Sequence, residues 1–93
     1  MPTYVTLYNY TGPIKGGGPE RFEKVKQFVA EEKGKILSVY GLLGAYDILA
    51  VAEFPDNRAA MKAAARVGAL ISAKTSTMPA VERDDFLKLL AEL

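Results

Sequence analysis

From Thr3 to Tyr10 apolar positions are interleaved with Thr3, Thr6 and Asn9, and the run's richness in Thr, Tyr and Val predicts a strand. From Pro19 the pattern changes. Phe22, Val25, Phe28 and Val29 recur at helical spacing, Pro19 suits a first turn, and Gly34 is the expected stop, with Lys33 beside the negative end of the helix dipole. Ile36 to Leu43 and Tyr46 to Phe54 return to strand character. Gly44-Ala45 between them fits a two-residue hairpin loop with glycine at the first central position. Pro55-Asp56-Asn57 ends that strand and offers a cap to a second helix, Arg58 to about Val67, almost all alanine on one side and closed by Gly68. A polar fourth strand, Ile71 to Met78, is broken by Pro79, and a last amphipathic helix carries Phe86, Leu89, Leu90 and Leu93 on one face.

The order is β-α-β-β-α-β-α. Two right-handed βαβ halves around a central hairpin predict a ferredoxin-like α+β sandwich, βαββαβ plus a C-terminal helix, with helices on one face of an antiparallel sheet. With a Gly44-Ala45 loop, Leu37, Val39, Leu43, Tyr46, Ile48, Ala50 and Ala52 face the helices. Ile36, Ser38, Tyr40, Leu42, Asp47, Leu49 and Val51 take the open face. Val5 and Leu7 suit the core, which sends Tyr4, Thr6, Tyr8 and Tyr10 to the open face. That face is too apolar for water, so a homodimer or larger homo-oligomer built on it is expected. A one-residue slip in the hairpin exchanges the faces.

Composition narrows the chemistry. The chain has 93 residues, read as a single domain spanning 1–93, with a net charge of +1 and no lysine/arginine stripe, which argues against a nucleic-acid partner. It holds no cysteine and no histidine, which removes thiolate nucleophiles, Cys/His zinc sites, the usual haem ligands and the commonest neutral-pH base. No metal and no cofactor are expected. The start, Met1-Pro2-Thr3-Tyr4, lacks the regions of a signal peptide, and no apolar run reaches membrane-spanning length. The expectation is a soluble cytoplasmic protein without a membrane partner.

Candidate chemistry is sparse. Asp47, set among apolar residues and tyrosines, is the one candidate general base, though a hydrogen-bond acceptor near the hairpin or an ion pair across an interface is the preferred reading. Tyr46 reads as a packed aromatic. Tyr4, Tyr8, Tyr10 and Tyr40 could line a small-molecule pocket or serve an interface, which also favours tyrosine. Thr75 and Thr77 share one face of the fourth strand and could meet a polar ligand. Lys15 with Gly16-Gly17-Gly18 precedes a helix and could cradle an anion, but no Walker pattern is present and a loop is preferred. Pro2, if freed of Met1, would be a secondary amine of the kind some tautomerases use, a reading ranked last. Gly44 is assigned a structural role in the turn.

Gly44-Ala45-Tyr46-Asp47, the opening Met1-Pro2-Thr3-Tyr4-Val5-Thr6-Leu7 with Asn9-Tyr10-Thr11, Pro55-Asp56, and Thr75-Ser76-Thr77 together resemble the GYD-domain proteins, named for a Gly-x-Tyr-Asp hairpin. The likeness covers nearly the whole chain, and Gly16-Gly17-Gly18 departs from it. It implies a ferredoxin-like fold of the dimeric α+β barrel type and carries over no catalytic residue, since the family has no established activity. The resulting expectation is a small homo-oligomeric ligand-binding or interaction module without catalysis. The alternative is a cofactor-independent oxygenase or isomerase acting on an aromatic or enolic substrate, with Asp47 as base and Tyr8, Tyr40 or Tyr46 orienting the substrate.

Overall fold

The computed structural model describes residues 1–14 and 18–93. The proposed anion cradle at Lys15, Gly16 and Gly17 therefore lies outside the described residues. The elements are β1 (Thr3–Tyr10), α1 (Gly18–Glu31), β2 (Lys35–Gly41), β3 (Ile48–Glu53), α2 (Asn57–Ile71), β4 (Ala73–Ala80) and α3 (Arg83–Ala91). The four strands form one antiparallel sheet in the order β2-β3-β1-β4. This is the ferredoxin-like arrangement expected from the element order.

The core lies between the sheet and α1 and α2. Asp56 caps α2, its carboxylate accepting from the Ala59 amide at 2.9 Å. Helix α2 then buries Ala59, Ala60, Ala63, Ala64, Val67, Gly68 and Ile71. This small-residue face leaves volume over the sheet, and large side chains from β1 occupy it. Tyr4 and Tyr8 are buried, and their strand alternates so that Val5 and Leu7 point the other way. The expected orientation of β1 is thus reversed: Tyr4, Thr6 and Tyr8 are the core residues. Their polar atoms find use inside. The Tyr4 hydroxyl donates to Asn57 Oδ1 at 2.6 Å, and the Thr6 and Thr77 hydroxyls are 3.0 Å apart.

The hairpin differs in two ways from the two-residue loop expected. Gly41 pairs with Ile48 and the Leu42 amide donates to the Asp47 carbonyl at 2.8 Å, so four residues, 43–46, form the loop. In addition, the register shifts between Ile36 and Ser38, a bulge at Leu37. The extra residue turns Ile36 into the core beside Ala52, while Val39 keeps the face shared with Ala50.

Three boundaries move for steric reasons. Lys33, at φ 59°, is the left-handed residue that ends α1. Gly34 is small because a Cβ there would run into the Phe54 ring and sit 2.9 Å from the Glu53 carbonyl. Gly68 lies inside α2, where a Cβ would be 3.0 Å from the Ala73 carbonyl and the Thr75 methyl. The glycine thus permits close approach of β4 and does not end the helix. Pro79 stands within β4, paired with Tyr4, as an edge strand tolerates. Helix α3 is capped by Glu82, which accepts from the Asp84 amide at 2.8 Å, and none of its residues is buried.

Candidate functional site

Two surfaces and one cavity stand out. The first surface is the sheet face away from α1 and α2. The register places Val5 between Val51 and Met78, and Leu7 between Leu49 and Ser76, with Ser38 and Tyr40 extending the same face on β2. Exchanging the tyrosines of β1 for Val5 and Leu7 makes this face more aliphatic than expected. Tyr40 is 58% exposed on it. The second surface is α3, where Phe86, Leu87, Leu89 and Leu90 are all exposed.

The cavity, about 170 Å³, lies on the opposite side of the sheet, between it and the helices. Tyr8, Tyr10, Ala50 and Val39 supply its floor, and Arg21, Phe22 and Val25 of α1 its roof. Burial pushes the Tyr8 phenol up to about 12, with the Thr6 hydroxyl opposing part of that rise. The phenol is therefore a neutral donor at physiological pH. Arg21 brings a charge into this apolar setting. Its Nη1 is shielded from solvent and has no hydrogen-bond partner among the described residues.

The candidates named from sequence are dispersed. Asp47 sits at the end of the β1–β3 ladder, not in the cavity. Its amide donates to the Tyr8 carbonyl at 2.9 Å, and its Oδ2 accepts from the Tyr10 amide at 2.8 Å. The carboxylate thus takes the place of the next backbone acceptor where β3 leaves the sheet. Tyr8 faces the helices and Tyr40 the open side, so the expected grouping of Asp47, Tyr8 and Tyr40 on one face does not form. Tyr46 is 41% exposed in the loop. Gly44 beside it has φ +145°, and a Cβ there would meet nothing within 4 Å. Thr77 engages Thr6, and Thr75 lines a separate cleft with Thr11 and Gly68. Among the described residues no group of three or more His, Cys, Asp or Glu could hold a metal ion.

Sequence reasoning did not single out Arg21. The signal was present: Arg21 precedes Val25 by four residues and Phe28 by seven, which puts a cation on the apolar stripe of α1. Phe28 in turn is covered by Arg66 of α2, whose guanidinium lies 4.1 Å from the ring centre. Arg66 also pairs with Glu31 at 2.5 Å and holds that carboxyl below its usual range. Arg21 has no comparable anion among the described residues.

Known proteins resemble this chain in sequence or in structure. The chain is 29% identical over 96 residues, 97% of its own length and 99% of the other's, to the glutamine synthetase and cystathionine beta-lyase binding protein of Thermus thermophilus. In structure it matches the leucine response regulatory protein LrpA of Mycobacterium tuberculosis, with a TM-score of 0.61 at 10% identity over 87% of this chain and 51% of that one. It also matches a homoserine dehydrogenase from Thiobacillus denitrificans, with a TM-score of 0.57 at 15% identity over 83% of this chain and 16% of that one. The chain thus spans about half of the regulator and a small part of the dehydrogenase, and shares their fold alone. The sequence profile of the GYD domain matches residues 4–90, and the chain belongs to the GYD domain family.

Proposed function

We propose that the protein is a homo-oligomeric interaction module without catalysis, whose subunits pair through the open sheet face. The observation that carries this reading is the aliphatic stripe of Val5, Leu7, Leu49, Val51 and Met78, which no described element of its own chain covers. Two sheets packed face to face would bury it in the dimeric α+β barrel manner, and the exposed apolar side of α3 supplies further area at the edge. A stable pair needs roughly 1,600 Å² in total.

The Thermus relative, named for binding two enzymes, supports protein subunits as the partner class. No described helix is long and apolar enough to cross a membrane, which agrees with the cytoplasmic setting we propose. The enzyme reading is weakened because its base, Asp47, already serves the Tyr10 amide, and because Tyr40 lies across the sheet from Tyr8.

Charge introduced on either surface tests the proposal. Leu49→Glu, at the centre of the open face, should convert the oligomer to monomers while the far-ultraviolet circular dichroism is kept. Leu89→Glu on α3 should weaken association to a smaller degree. If both variants keep the wild-type mass in light scattering at micromolar concentration, subunits do not pair through these surfaces.

A further inference from the structure

The cavity beneath the helices holds a charge without a counterion among the described residues. Arg21 lies in the first turn of α1, where the helix dipole already disfavours a cation. Its Nη1 is out of reach of solvent and has no hydrogen-bond partner among the described residues. It takes part in none of the ion pairs among the described residues, which join Lys26, Lys62, Arg66 and Arg83 to their acids. No aspartate or glutamate lines the cavity among the described residues. A buried guanidinium nitrogen left this way is costly, and an anion placed in the cavity would satisfy it.

The remaining lining fixes what else the anion must carry. Apart from Arg21, the walls are mostly aliphatic and aromatic, with Tyr8 and Tyr10 as hydroxyl-bearing rings. The volume of about 170 Å³ matches a single ring or a branched chain of similar bulk. One guanidinium, with no second cation beside it among the described residues, suits a planar monoanion that takes two parallel N–H donors better than it suits a phosphate dianion.

We infer that this cavity is a binding site for a small monocarboxylate with an aromatic or branched aliphatic body, its carboxylate on Arg21 and its body over Tyr8 and Ala50. The site lies within one subunit, on the side of the sheet opposite the proposed interface, so it stands or falls apart from the oligomer. Arg21 and Phe22 form its rim: Arg21 is partly exposed and Phe22 39% exposed, while Val29 behind them is buried.

Titration of the full-length protein with benzoate, isovalerate and neutral benzamide, followed by amide shifts in 1H–15N spectra, tests the assignment. The expected result is saturable binding of benzoate or isovalerate, with the shifts centred on Arg21, Tyr8 and Ala50. Benzamide should bind about tenfold more weakly than benzoate. In Arg21→Met, which keeps the length of the side chain, that preference should vanish. The comparison of benzoate with benzamide needs no variant, so a poorly folded Arg21→Met does not blunt it. The assignment is overturned if neither acid saturates, if benzoate and benzamide bind wild type equally, or if the shifts fall on the open sheet face.

Discussion

Gly34 and Gly44 are both held by the fold, for different reasons. At Gly44 the obstacle is conformational: φ is +145° and the space around it is open. Gly44→Val should cost roughly 1–3 kcal/mol through backbone strain. At Gly34 the obstacle is the ring of Phe54, itself in the core, so Gly34→Ala should cost a similar 1–3 kcal/mol through overpacking. Shortening the ring separates the two: Phe54→Leu should relieve part of the Gly34→Ala penalty and none of the Gly44→Val penalty, read as midpoints of urea unfolding. Tyr8 gives a pH signature. Its phenol titrates near 12 when folded and about 10 when unfolded. Below pH 10 both states hold the proton and stability is unaffected. As pH rises, the unfolded state releases it first, so about 2–3 kcal/mol should be lost between pH 10 and 12. Tyr8→Phe should flatten that slope in urea melts taken across this window, and an unchanged slope would mean that Tyr8 is not the group responsible.

Element types were legible because their cues are local. Period and punctuation locate every strand and helix, and Asp56 is visible as a cap. The faces of β1 and the first half of β2 were not legible, because they depend on what lies across the core. Val5 and Leu7 look like core residues until the alanine face of α2 is set over the sheet and leaves room for Tyr4 and Tyr8. The bulge at Leu37, which turns Ile36 inward, has no turn residue to announce it. Asp47 belongs to this scale too. A strand end left by its partner needs an acceptor for Tyr10, and the carboxylate supplies it. Asp47→Ala should cost about 1–3 kcal/mol by orphaning that amide. Asp47→Asn, which keeps an acceptor oxygen, should cost less. Faster hydrogen exchange at Tyr10 in Asp47→Ala, with the middle of β1 unchanged, would mark the loss as local. Of the candidate ligand residues, Tyr8 and Tyr10 line the cavity together with Arg21, because side-chain direction, and not residue type, decides membership.

At the scale of the molecule, the described helices cover the sheet on one side only. Helices α1 and α2 bury the face of Tyr4, Thr6 and Tyr8. No described element packs over the aliphatic residues of the other face, and no residue of α3 is buried, so the proposed reading assigns both to a partner. A chain of this size gains much from burying such a face in a second copy. On the proposed reading the division also separates roles: self-association on one side of the sheet, and a ligand cavity on the other. Sedimentation equilibrium of the wild-type protein from low to high micromolar concentration tests this account most directly. The account predicts twice the mass of one 10.1 kDa chain, or a multiple of that dimer, across the range. A single species at the monomer mass throughout would contradict it.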